Sequence, residues 1–175
     1  SGNIAGEKMH FIVNHWPSRA AASPARERAG EQVRAIKDSL LKEDSAAKIV
    51  IMGDMNDDPM DKSMAVALGA KRKPADVGPT DLYNPWWDTL KKGYGTLMYK
   101  GKWNLCDQIV FTGNLLGTDR STLKFYKHEI FRRDFMFQKE GKYKGYPKRT
   151  QAGGVWLNGY SDHLPTIIYL IKEVK

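Results

Sequence analysis

His15, Asp54, Asn56, Asp107, Asp162 and His163 are residue types that do chemistry in combination. Carboxylate and side-chain amide oxygens are hard donors that favour magnesium, manganese or calcium over zinc. Imidazoles carry protons near neutral pH, and a carboxylate beside one raises its pKa and fixes its tautomer. The spacing brings each residue to the edge of an apolar run. FIVNH ends on Asn14-His15, IVIMGDMND runs into Asp54 and Asn56, CDQIVF opens on Asp107, and SDHLP sets Asp162-His163 before the last run. Strand ends present side chains to a shared pocket when the strands are neighbours.

Each motif alone has a structural explanation. GDMNDDP reads equally as an Asx-rich turn. It opens like a calcium loop, with oxygens at Asp54, Asn56 and Asp58, but that loop's glycine position holds Pro59 and its bidentate acid position Ala65. A lone His15 reads as a satisfied core histidine, Asp162 as a turn cap, and Asp107 as an acceptor for backbone donors. The functional reading rests on their joint occurrence. Ser18, Arg19, Arg26 and Arg28 follow His15 closely. Arg19 and Arg28 are candidates to reach a substrate phosphate, and a solvated loop and helix start is the alternative.

Four runs rich in β-branched or aromatic residues must position these groups: MHFIV (9–13), KIVIM (48–52), DQIVF (107–111) and PTIIYLI (165–171). Three of them do not alternate apolar with polar, the pattern of strands covered on both faces. A helix is predicted from Pro24 to Lys42, with Ser23 as N-cap and Pro24 in the first turn. Ala29, Val33, Ile36, Leu40 and Leu41 fall near one face of it. Strand, helix, strand implies that the first two strands are parallel neighbours. From 57 to 102 the text is rich in Gly, Pro and Asn and reads as a long ordered loop region. Trp86, Trp87, Trp103 and Trp156 pack in the core by default, with lining a cleft as the alternative. Four doubly covered strands need two layers, and one amphipathic helix supplies only one.

The whole chain of 175 residues fits a single unit, 1–175, with an ordinary 41% apolar and 27% charged residues. No apolar run approaches a membrane span. Cys106 is the single cysteine, which excludes a disulfide framework and a cysteine-rich zinc site. The net charge of +8 is concentrated: residues 120–149 hold ten Lys/Arg against three Asp/Glu. That stretch interleaves its cations with Phe125, Tyr126, Phe131, Phe135, Phe137, Tyr143 and Tyr146. Cations beside aromatics suit a polyanion, and a solvated, partly packed excursion is the alternative.

Taken together and in order, FIVNHWPSR, IVIMGDMND, CDQIVF and SDHLP resemble the endonuclease/exonuclease/phosphatase superfamily, from about Lys8 to Leu170. The resemblance implies α/β (α+β) architecture, the carboxy-terminal half of a four-layer α/β-β/α sandwich with a mixed sheet. It implies a divalent-metal phosphoester hydrolase, with Mg2+ (or Mn2+ or Ca2+) as cofactor and a phosphoester, nucleic acid included, as partner. Asp54 and Asn56 would hold the attacking water and the scissile phosphate, and Asp162 would help place the metal. His163, oriented by Asp107, would contact the phosphate or move a proton, and His15 would serve the phosphate or the leaving group. Such a set answers the physical need: a phosphodiester repels hydroxide, so its hydrolysis wants a cation, a base and donors for growing charge. Asn14 directly precedes His15, would point to the strand's other side, and is not assigned. The family's principal metal ligand, an early glutamate, and an asparagine before it have no counterpart here. The chain is therefore expected to need an amino-terminal half for activity. A non-catalytic binding module for an anionic partner on the same fold is the alternative.

Overall fold

The computed structural model describes residues 1–174. Its strands are β1 (Gly2–Ile4), β2 (Glu7–His15), β3 (Lys48–Asp54), β4 (Ala70–Lys71), β5 (Leu82–Tyr83), β6 (Leu97–Tyr99), β7 (Lys102–Asn104), β8 (Asp107–Thr112), β9 (Lys124–Ile130), β10 (Gln151–Ala152), β11 (Val155–Trp156) and β12 (Thr166–Ile171). The helices are α1 (Ser23–Glu43) and the single-turn α2 (Trp87–Lys91). Six strands form a mixed sheet in the order β1-β2-β3-β8-β5-β4. This is the mixed α/β sheet that the sequence reading expects.

The four apolar runs all become strands. β2 and β3 pair in parallel, as a crossover helix between them requires, and β8 runs antiparallel beside β3. The predicted helix forms one residue longer at each end. Its cap differs from expectation: Ala22 holds the N-cap position, while the Ser23 hydroxyl donates to the Glu27 carboxylate at 3.0 Å. Pro24 occupies the first turn, where its missing N–H costs nothing.

Two apolar layers flank the sheet. On one face, Val33, Ala29, Leu40 and Leu41 of α1 pack with Trp16, Ile49, Ile51 and Val110. Gly30 lets the helix approach the π-helical turn Ser63–Ala67, because a side chain there would press on the Ser63 carbonyl. On the other face, Val50, Ile109 and Phe111 meet Trp86, Leu105, Leu115 and Leu123, with Phe125, Ile130, Ile168 and Leu170 closing over them.

That second layer corrects the sequence inventory. Lys124–Ile130, read only as part of a basic stretch, is a strand paired antiparallel with β12 in a separate two-stranded ribbon. A broken alternation hides it: Phe125 and Ile130 both face the core five residues apart, across a shift of register between the Phe125–Leu170 and Lys127–Tyr169 pairs, while Tyr126 and Lys127 are exposed. The last apolar run is accordingly half-buried rather than interior. Glu7 fastens the ribbon to the main sheet. Its carboxylate pairs with Lys48 of β3, lies 2.9 Å from Lys172 Nζ beyond β12, and accepts the Leu123 amide at 2.9 Å. Burial opposes ionisation of Glu7, but Lys172, Lys48 and the Leu123 amide outweigh it and hold the carboxyl down to about 2.

The 57–102 region holds short elements, with Trp86 fully buried and its Nε1 donating to the Ile109 carbonyl. Trp156 departs from the core-packing default: it lies on the β10–β11 hairpin and is 67% exposed.

Candidate functional site

The site is built by register. His15 is the pairing partner of Asp54, and Asp54 is the partner of Asp107. Three neighbouring strands therefore set the three side chains in one row: the last residue of β2, the last of β3 and the first of β8. A parallel pair followed by an antiparallel one brings two strand ends and one strand start to the same edge of the sheet.

A glycine makes the β3 end possible. Gly53 has φ +135°, and a β-carbon on it would overlap the Asn14 carbonyl oxygen across the strand pair. Asn14 is turned to structure: its amide donates to the Met52 carbonyl at 3.3 Å and its oxygen accepts Trp16 Nε1 at 3.1 Å. Past Asp54 the chain turns through Asn56, a left-handed residue at φ +53°. Asp54 Oδ1 accepts the Asn56 amide at 2.9 Å, and Asn56 Nδ2 donates to the Trp16 carbonyl at 2.9 Å.

The β6–β7 hairpin brings in His163. Leu97 bridges His163, Leu164 donates its amide to the Thr96 carbonyl, and the Asp107 amide donates to Thr96 Oγ1 at 3.2 Å. His163 Nδ1 then lies 2.7 Å from Asp107 Oδ2 and 4.0 Å from Asp54 Oδ2. His15 Nε2 lies 3.7 Å from Asp54 Oδ2. Burial works against a charged His163 ring, yet the Asp107 hydrogen bond and the charges of Asp107, Asp54 and Asp162 outweigh it, so its pKa is raised above the ordinary histidine value.

Asp54, Asp107 and His163 each offer a ligand atom within 4.8 Å of the others. Two carboxylates and an imidazole fit a divalent cation, and the carboxylate share favours a hard one. Asp162 lies outside this group of three, its Oδ2 being 3.0 Å from Arg149 Nη2. Cys106 is buried, and burial pushes its thiol pKa far up, which removes it as a nucleophile.

The two arginines named from the sequence differ in placement. Arg28 is exposed on α1. Arg19 reaches the loop after Asp54, donating to the Asn56 carbonyl and to Asn104 Oδ1. Thr96 and Asn104, which with Asp58 tie the site's elements together, carried no sequence signal because each is an ordinary loop or strand residue until the chain folds, and Asp58 figures in the sequence only within the rejected calcium-loop pattern.

The chain belongs to the endonuclease/exonuclease/phosphatase family, whose model matches residues 1–172. Among solved structures it is similar to a mannosyl-6-phosphatase from Bacteroides thetaiotaomicron, at 14% identity and TM-score 0.55 over 95% of this chain and 52% of that one. It is also similar to D. rerio TDP2 complexed with a single-strand DNA product, at 14% identity and TM-score 0.52 over 98% of this chain and 59% of that one. A third is a mutant beta toxin from Staphylococcus aureus with bound magnesium ions, at 18% identity and TM-score 0.50 over 98% and 55%. Identities this low speak for the fold. The chain spans about half the length of these structures. No match was found among curated proteins.

Proposed function

We propose that this protein is a divalent-metal-dependent phosphoester hydrolase whose site is His15, Asp54, Asn56, Asp107, Asp162 and His163. The observation that supports it is the registered row His15–Asp54–Asp107 with His163 held on Asp107 at 2.7 Å. A binding surface has no use for two imidazoles converging on two carboxylates.

The geometry supports the following division of labour. Asp107 accepts from Nδ1 of His163, which leaves Nε2 free to face a phosphate oxygen or to move a proton. Asp54 lies between both rings and orients an attacking water, with Asn56 positioned by the hydrogen bond that its backbone amide donates to Asp54. His15, whose side chain is 78% exposed, stands on the open side and serves the leaving group. Asp54 and Asp107, whose ligand atoms lie within 4.8 Å of each other, would hold Mg2+, Mn2+ or Ca2+, and Asp162, outside that group, would help place the cation from beside His163. A bound cation supplies charge neutralisation at the phosphate and a more acidic water. The chain 1–175 acts as one unit in this reading and contributes one half of the site. The glutamate that the family resemblance places on the metal comes from outside these residues.

The test is a panel of phosphomonoesters, phosphodiesters and single-stranded DNA with magnesium, manganese or calcium, run on the chain alone and on the full-length protein. Asp54→Ala and His163→Ala are expected to lower kcat at least about 10²-fold each. Unchanged turnover in both variants would reject the site, and chelation of the cation should abolish activity reversibly.

A further inference from the structure

Arg19 stands where three segments of the site meet. Its Nε donates to the Asn56 carbonyl oxygen at 2.9 Å, its Nη1 to Asn104 Oδ1 at 2.6 Å, and its Nη2 lies 3.1 Å from Asp58 Oδ2 and 3.4 Å from Asp61 Oδ2. Each partner leads to a site residue. Asn56 follows Asp54 in the turn. Asn104 closes β7, three residues before Asp107. Asp58 accepts the Leu105 amide at 2.7 Å, which fixes the approach to β8.

Arg26 anchors Arg19 from behind. Its Nη1 donates to the carbonyls of Ser18 and Ala21, at 3.1 Å each, so it holds the segment that carries Arg19. Its Nε lies 2.8 Å from Oδ1 of Asp57, whose other oxygen accepts the Ser63 hydroxyl at 2.6 Å. Asp57 is buried, as is Arg26. The segment that leaves His15 is thus gripped by one arginine and grips the loop that leaves Asp54 through another.

This placement does not suit a phosphate ligand. Arg19 faces Asp57, Asp58 and Asp61, and an incoming phosphate would meet the field of three carboxylates within reach of one guanidinium. Asn56 is held on every side. Asparagine tolerates its left-handed backbone, Asp54 accepts its amide, the Trp16 carbonyl accepts its side chain, and Arg19 supplies the donor for its carbonyl. The planar guanidinium spreads its donors over a rigid fork and so reaches a carbonyl, an amide oxygen and a carboxylate on separate segments, whereas an ammonium gathers its three donors on one nitrogen.

We infer that Arg19 is a positioning residue: it holds Asn56 and the Asn104–Asp107 approach in place against the His15 segment and leaves the substrate phosphate to other groups. The kinetic part of this inference rests on the phosphoester-hydrolase reading; its structural part does not.

The experiment compares Arg19→Lys and Arg19→Ala with the unmodified protein in two measurements, steady-state kinetics and amide hydrogen exchange. In the kinetics, kcat should fall about 10- to 100-fold with KM within about twofold, because the reacting groups are displaced while binding contacts remain. Added guanidinium ion should restore part of kcat to Arg19→Ala. A raised KM at unchanged kcat would mean that Arg19 binds the phosphate, and would overturn the inference. In the exchange measurement, the Asn56 and Leu105 amides should exchange at least about tenfold faster in both variants, with Ile49 and Ile51 of β3 unchanged. If Arg19→Ala unfolds, Arg19→Lys, which keeps a cation in the loop, carries both measurements. If the unmodified protein hydrolyses no phosphoester, the functional reading falls by itself. The exchange rates then decide: faster Asn56 and Leu105 amides support the inference, and unaltered rates at both overturn it.

Discussion

Asp107 acts on the site through His163, and the two can be separated by titration. The raised pKa of His163 comes from its hydrogen bond to Asp107 and the nearby carboxylates acting against burial. In Asp107→Asn the main opposing cause is gone while burial remains, so the His163 titration should move down, read from the imidazole C2–H resonance. An unmoved titration would refute the pairing. The sign for stability follows from the same shift. A histidine whose folded pKa is raised stabilises the fold fully below its unfolded value of about 6.5, and that contribution is lost as pH rises through the higher folded value. Asp107→Asn should therefore flatten this part of the stability profile and, under the proposed reading, cost about 10²-fold or more in kcat.

At the scale of elements, the site depends on two joins. The first is the close contact of Gly53 with Asn14, which sets the row of His15 and Asp54. Gly53→Ala forces a β-carbon into a backbone oxygen at a positive φ, and should destabilise the protein by roughly 3 kcal/mol or more, measured by urea unfolding. A loss below about 0.5 kcal/mol would show that the strands separate there at little cost. The second join is Glu7 with Lys48, Lys172 and the Leu123 amide. A carboxyl whose folded pKa is lowered to about 2 stabilises the fold above its unfolded value of about 4.3. That stability is lost as pH falls through the interval between them. Glu7→Gln should remove on the order of 2 kcal/mol at neutral pH and weaken the acid dependence of unfolding. An acid profile identical to the parent's would reject Glu7 as the fastener of the ribbon.

At the scale of the molecule, the basic stretch has two parts with different work. Its first part is β9, whose Phe125 and Ile130 close the second core layer. The remainder leads to Arg149, which touches Asp162 beside His163, and it exposes Phe135 and Tyr143 among lysines. A polyanion crossing this surface would contact several cations at once, so raising salt from about 50 to 200 mM should weaken its binding more than about tenfold. A small phosphomonoester held only at the candidate site around His163 should respond far less. Equal salt responses for single-stranded DNA and a monoester would count against an extended anion path.

What the sequence determined by itself was the set of chemical residues and the strands that end or begin on them, because residue type and hydrophobic period are local properties. GDMND, CDQIVF and SDHLP were legible in that way, as was the parallel β2–β3 pair, since a crossover helix dictates it. The tertiary structure decided three things. It put β9 over the second face, where a register shift breaks the alternation of core and solvent residues that would have announced a strand. It turned Arg19 from a free cation beside His15 into the junction of four side-chain and backbone partners. It also set His15, Asp54 and Asp107 in one register, with His163 added through Thr96 and Leu97. Those outcomes depend on pairing between segments tens of residues apart, and register over such distances is fixed by packing across the whole sheet, not by any stretch of the chain.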